Sequence, residues 1–539
     1  MRLSAAALLA AAFAVSSPLP AQGGGGDLGR IDFPTSGSPA AQEHFLRGAL
    51  LLHSFEYEDA AEEFRAAERL DPGFAMAYWG EAMTYNHPLW MERDRDGARS
   101  ALDRLAATPA ERQAKAPTRR EKMYLDAVEI LYADGDKASR DRAYADAMRR
   151  LHEEYPQDLD AASFYALSLL GTCEGKRDIP TYMRAAAVAE EVFAKNPQHP
   201  GAAHYLIHSY DDPVHAPLGM RAARVYAQIA PAATHALHMP SHIFLALGMW
   251  DEVVASNEAS WKASADRAKR KSLGPDAHSY HALSWLGYAY LQQGRWADAR
   301  RTLATMEEDA RSTGSTKART HLVAMRAAYA VATGRWSEAA RIQVSADDLT
   351  SRNQNIFIDG LAALEAGDRK GARKALERMK DEHGGEAGAT GHSHGGAMPY
   401  PSSWKTTDAV LSRQLEAKIL FSEGEMDRAL ALATEAAALE DAMSFDFGPP
   451  DIVIPSHELM GEMLLAAGRP AEARKEFEAS LARAPRRAQS LLGLARAASK
   501  AGDAEAANAA YTELGGVWKK ADADVTGLRE VREALAGGR

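Results

Sequence analysis

Histidines crowd the stretch between positions 204 and 281 at intervals that place imidazoles on shared helix faces. His204 and His208 stand four apart, and so do His238 and His242, the separation that brings two side chains to one face on successive turns of an α-helix. His235 precedes His238 by three residues and joins the same face. The two pairs are themselves 34 residues apart, as are Pro197 and Pro231, so adjacent helices present matching His-x-x-x-His devices. His235, His281 and His321 each lie 13 residues before a glycine, Gly248, Gly294 and Gly334, which makes them equivalent sites on three successive helices. Neighbouring packed helices sit roughly 8–10 Å apart, and metal–nitrogen bonds are about 2.0–2.1 Å. Imidazoles from both sides therefore meet at a single ion. His204, His208, His235, His238, His242 and His281 are the candidate ligands, and an imidazole set suits zinc, copper or iron and not magnesium or calcium. Asp211 and Asp212, at the end of the first helix, are candidate carboxylate ligands, orienting partners of an imidazole, or proton acceptors. Pro240 lies between His238 and His242 and either starts or kinks that helix, in which case His235 and His238 belong to a separate turn.

Other catalytic constellations are missing. His204-Tyr205-Leu206-Ile207-His208 has the histidine spacing of the zinc-protease helix, but Tyr205 stands where that motif needs its glutamate base. No serine-nucleophile elbow, phosphate loop or dinucleotide fingerprint is present. Single histidines such as His199, His215 and His278 read as ordinary hydrogen-bonded residues. Polar positions continue along the chain: His53 and His87 are again 34 apart, and Glu458 and Glu462 share a helix face at i, i+4. Together with His321 these extend the cluster into a polar ligand groove.

The elements that carry these residues repeat. Glycine, any residue, a bulky residue, two residues and a small or apolar residue recur as Gly248-Met249-Trp250-Asp251-Glu252-Val253, Gly294 to Ala299 and Gly334 to Ala339, with looser copies from Gly367, Gly424, Gly468 and Gly502. Each copy sits between two apolar helical patterns, so the unit is a helix, a tight turn and a second helix. Near the amino end Ala60, Phe64, Ala67 and Pro72 mark the second helix of such a pair, and Ala75, Tyr78, Ala82 and Tyr85 open the next. This arrangement resembles the tetratricopeptide repeat family from about Ser38 to Leu514. The resemblance implies an all-α fold, a right-handed solenoid of tandem helix-turn-helix units whose first helices line a concave groove. The segment from His199 to His208 continued through His235 to Phe244 resembles uncharacterised secreted bacterial repeat proteins with a histidine-rich centre, which gives no reaction.

Residues 1–21, with Arg2, an apolar run from Ala5 to Val15 and the small residue Ala21, read as a secretory signal peptide, too short to span a bilayer. The expected organisation is then a flexible leader over 22–37, repeats over 38–380, a glycine- and histidine-rich loop over 381–403 containing His383, His392 and His394, further repeats over 404–514, and a capping helix with a tail over 515–539. Ser444 to Pro455, with its Gly448-Pro449-Pro450, predicts an extended crossing between helices. A single cysteine, Cys173, leaves no internal disulfide, and a net charge of -11 disfavours nucleic acid as partner. The expectation is an exported, periplasmic or secreted solenoid with no membrane span. It binds a transition metal, with a small molecule or peptide in its groove. Two other readings stay open on the same residues: a metal-dependent hydrolase or oxidase, and a metal-free scaffold that receives a peptide or protein partner.

Overall fold

A computed structural model describes residues 27–174, 176–380, 401–445 and 447–537; the signal-peptide reading and the histidines of the 381–403 loop lie outside them. The described chain is a succession of antiparallel helix pairs. Pro39–His53 pairs with Tyr57–Leu70, Leu159–Gly171 with Ile179–Lys195, Pro200–Tyr210 with Ala216–Ile229, Tyr280–Gln292 with Trp296–Thr313, and Ala488–Lys500 with Ala504–Val517. Gly248 and Gly294 adopt φ of 64° and 68°, the left-handed conformation that ends one helix and turns the chain into the next without steric cost. That is why the glycine stays in register with the bulky residue behind it. The fold is the all-α solenoid of helix hairpins that the repeats imply, interrupted among the described residues by one two-residue ribbon in which Asn86–His87 pairs with Glu92–Arg93.

The solenoid coils tightly enough to touch itself, and it does so twice. In the first closure Arg267 and Lys271 reach Asp59 at 3.0 and 2.6 Å, and Glu56 accepts from the backbone N–H of His235 at 2.8 Å. In the second, Trp250 Nε1 donates to the Arg486 carbonyl at 3.0 Å, Arg487 to Tyr288 Oη at 3.0 Å and Trp518 Nε1 to the Gln292 carbonyl at 3.1 Å. The helices of residues 234–292 therefore take part in both turns. Their interior is packed, and the expected open groove is largely closed.

Three expectations change accordingly. The described part of the leader is not flexible: Leu28 and Phe33 are buried, Arg30 N–H donates to the Gln198 carbonyl and Ala232 N–H to that of Asp27, both at 2.9 Å. Its apolar side chains complete the first turn, and burying them outweighs the entropy of ordering the segment. At the other boundaries, a helix starts at Pro401 instead of after 403, and the last repeat helix runs to Val517 before the closing helix Leu528–Gly537. His87 does not occupy a first helix; it lies in the ribbon, because Pro88 cannot continue a helix ladder.

Candidate metal centre

Three consecutive hairpins bring the histidines together. Pro200 opens the helix Pro200–Tyr210, capped by His199, whose Nδ1 accepts from the N–H of Ala202 at 3.2 Å. His204 and His208 follow on its inner face. In the next hairpin the helix Thr234–His238 passes into Pro240–Ala246 through Met239 at φ -54°, ψ -36°, which are helical angles. Pro240 removes one ladder bond without turning the chain. The divergence that proline threatened does not occur, and His238 Nε2 lies 3.2 Å from His242 Nε2.

The histidines divide into two triads. His204, His208 and His235 form one and His238, His242 and His281 the other, each with one ring nitrogen per residue lying within 4.8 Å of the others. His204, His208, His238 and His242 are 0–3% exposed, so they sit inside the coil and not on an open surface. Their tautomers follow from their neighbours. His204 Nδ1–H donates to the His53 carbonyl at 2.7 Å. His238 Nδ1–H donates to Asn257 Oδ1 at 2.6 Å, and that amide is oriented by its own bond to the Val253 carbonyl at 2.8 Å. His242 Nδ1–H donates to Asp211 Oδ2 at 3.0 Å. A neutral imidazole that donates from Nδ1 carries a lone pair on Nε2, so the Nε2 atoms turned inward are electron-pair donors. Those of His204, His208 and His235 have no hydrogen-bond partner, and those of His238 and His242 face each other.

Protons are poor occupants of this space. Burial pushes His204, His235, His238 and His281 well below the usual imidazole range, with neighbouring imidazoles adding to the effect. His242 falls to about 4, again chiefly through burial and despite the Asp211 bond. Near neutral pH these five imidazoles are thus neutral bases, the form in which histidine ligates metals. Each orphaned buried nitrogen carries a desolvation cost that only a partner removes.

Asp211 ties the two triads together. Its Oδ2 accepts from His242 of the second and lies 3.4 Å from His208 Nδ1 of the first. Burial works against its charge, but Arg177 at 2.6 Å and the two histidines hold its carboxyl well below the ordinary range. It stays an anion and orients imidazoles. Asp212 faces elsewhere, toward Arg177 Nε at 3.0 Å and His215 Nδ1 at 2.8 Å.

Aromatic rings enclose the ladder. Phe55, in the left-handed region at φ 56°, packs its ring centroid 4.2 Å from that of His204 and 5.7 Å from that of His235. Trp285 covers the second triad, 4.8 and 4.6 Å from the rings of His238 and His242, and Phe447 lies 5.0 Å from the latter. A cavity of about 240 Å³ opens beside this second triad, walled by Asp211, His242, His281, Trp285, His321 and Phe447 among others. His204 and His208 do not line it. The segment from Phe447 to Pro455 carries no helix and forms part of the cavity wall, as its glycine and prolines predict.

The remaining candidates separate. His321 continues the ladder, its ring 6.1 Å from that of His281 and its Nε2 without a hydrogen-bond partner. His53 belongs to a different cluster: Nε2–H donates to Asp160 at 3.0 Å, Nδ1 accepts from Tyr205 Oη at 2.9 Å, and His199 packs beside it. His87 stacks on Tyr57 at 3.9 Å. Glu458 is buried in an ion pair with Arg487 at 2.7 Å, while Glu462 on the same helix is exposed. None of these four lines the cavity beside the second triad; the second coil closes over Glu458 and the first encloses His53. Nothing in the sequence singles out Asp160, Phe55, Trp285 or Asn257; Phe447 is placed only in the extended crossing, and His199 reads as an ordinary hydrogen-bonded residue. His199 does have a local signal, its place before the helix-opening Pro200.

The model for the tetratricopeptide repeat matches residues 281–308, the hairpin that carries His281. Among solved structures, human IFIT1 in a dimer with m7Gppp-AAAA is similar at 13% identity over 90% of this chain and 91% of that one, with a TM-score of 0.37. The APC/C hetero-tetramer Cut9-Hcn1 aligns at 10% identity over 92% and 76%, TM-score 0.32, and yeast Tom70 at 13% over 93% and 96%, TM-score 0.27. No curated protein matches the chain. Among the described residues no helix is long and apolar enough to cross a membrane.

Proposed function

We propose that this tetratricopeptide-repeat solenoid binds a transition metal, zinc, copper or iron, through His204, His208, His235, His238, His242 and His281. One observation carries the reading: the outer nitrogens of His204, His238 and His242 are each engaged with an acceptor, which leaves buried lone pairs facing into each triad. A hydrogen-bonded ladder would alternate donors and acceptors, whereas facing lone pairs at 3.2 Å repel unless a cation lies between them. In this reading Asp211 is an orienting carboxylate and not a proton acceptor, since Arg177 stabilises its charge.

The cavity beside His242 and His281 favours an accompanying small-molecule ligand, and with it a second reading as a metal-dependent hydrolase or oxidase in which an open coordination position faces that cavity. Peptide or protein capture, which tetratricopeptide folds commonly perform, would use surfaces outside the ladder. Export to the periplasm or medium is part of the proposal and rests on the order of Arg2, the apolar run Ala5 to Val15 and Ala21.

The test is elemental analysis of the mature protein, purified without a histidine tag, beside His204→Ala/His238→Ala. A stoichiometric transition metal that falls in the variant is expected. Metal-free protein in both, even after reconstitution with zinc, copper and iron, would refute the reading and leave an interaction scaffold.

A further inference from the structure

We infer that the centre holds two metal ions, one in each triad, and that only the ion at His238, His242 and His281 meets an exogenous ligand. The inference rests on the metal-binding reading above and goes beyond the single ion expected from the helix spacing.

Donors around one ion with bonds of about 2.1 Å are at most ~4.2 Å apart. Within each triad the ring nitrogens approach that span, lying within 4.8 Å of one another; His208 and His242 also lie within that distance of an Asp211 oxygen, a set that joins the two triads. Each triad also has its own orienting anchor: the His53 carbonyl holds His204, and Asn257 holds His238. Asp211 links the groups by reaching one histidine of each, at 3.0 and 3.4 Å. It does so from the Nδ1 side, behind the rings, and so is spent as a hydrogen-bond acceptor and as the partner of Arg177.

Each ion is consequently faced by three imidazoles, with Asp211 behind the rings of His208 and His242. Such an ion keeps its positive charge, so it attracts an anionic donor wherever one can reach it. The two triads differ in where that donor can come from. His204 and His208 are covered by Phe55 and Tyr226, with ring centroids 4.2 and 5.3 Å from His204. His242 and His281 instead line the cavity. Its walls suit an aromatic or apolar body: Trp285, Phe447 and Phe445 line it, and the Arg483 guanidinium lies 4.6 Å over the Phe445 ring. The chemistry that fits is a small molecule with an anionic donor atom on an apolar frame, bound at the second ion.

The experiment uses the full mature chain loaded with copper(II) and freed of excess metal, in three forms: wild type, His204→Ala/His208→Ala and His238→Ala/His281→Ala, with circular dichroism confirming that each is folded. Two ions per chain in the wild type and one in each variant is the expected count. A single ion in the wild type, lost from both variants, would overturn the two-ion inference while leaving metal binding intact. No metal in any form would overturn the underlying reading as well. Azide is the probe of access, read by its charge-transfer absorption in the wild type, which does not depend on the variants folding. One azide per two coppers is expected, with the band kept in the first variant and lost in the second; two azides, none, or the reverse assignment would refute the placing of the open position.

Discussion

Asp211→Asn separates the orienting role of this carboxylate from the rest of the site. The substitution keeps the shape but replaces the anion that His242 Nδ1–H meets at 3.0 Å and Arg177 meets at 2.6 Å. Removing an orienting partner of a metal-bound histidine typically costs 10–100-fold in affinity, which is about 1.4–2.7 kcal/mol. Stability should fall too, because Arg177 is almost fully buried. Breaking a buried ion pair costs about 3–5 kcal/mol, and the lower end applies here because Asp212 still pairs with Arg177 Nε at 3.0 Å. The assays are competition for the metal against a chelator of known affinity and denaturant unfolding of the metal-free protein. Weakened metal binding together with a loss of about 3 kcal/mol is expected. Metal affinity within about twofold of wild type, alongside the stability loss, would show that Asp211 serves only Arg177 and that the orientation argument is wrong.

Two further substitutions probe the surroundings. His457 is raised to about 9 by its bond to Glu476 at 2.7 Å, against burial and with help from Asp441 at 3.1 Å. A folded-state value above the unfolded one means stabilisation that is complete below about pH 6.5 and lost as pH rises through about 9. With Asp441 half exposed, His457→Ala should cost about 1 kcal/mol at pH 6 and little at pH 10; an equal loss at both values would rule out the charge as its cause. Gly448→Ala places a Cβ 2.6 Å from Trp285 Cζ2 at a backbone φ of 103°. It should destabilise by about 1–3 kcal/mol and lower copper occupancy in the second triad but not the first. Unchanged unfolding and metal content would mean that the crossing segment does not brace the site.

The histidine pairs were legible because two periodicities, four residues within a helix and 34 between repeats, are written into consecutive positions. The same arithmetic misled at His87, where Pro88 diverts the chain into a ribbon, and at Glu458 and Glu462, where i, i+4 spacing does not reveal that Arg487 covers only one of them. Helical dihedrals at Met239 decided whether Pro240 would split His238 from His242, and no residue type encodes that. Phe55, Trp285 and Phe447 reach the ladder only through coiling: Phe55 meets His204 from the first hairpin, and Phe447 meets His242 from a segment far downstream. Such contacts depend on how many repeats complete a turn, a property of accumulated small rotations and not of local pattern.

The double closure also bears on how this chain can change by duplication. An open solenoid tolerates gaining or losing a unit, since each repeat meets only its neighbours. Here the carbonyl of Pro485 packs against Gly248, where an added Cβ would come within 2.4 Å, and Asp522 N–H donates to the Gly294 carbonyl at 3.0 Å. One hairpin more or fewer between Gly294 and Pro485 would carry both contacts out of register and pull Phe447 from the cavity. The repeat number is thereby locked, as in a ring, and loop lengthening at exposed turns such as Gly367 and Gly424 is the variation the architecture accommodates.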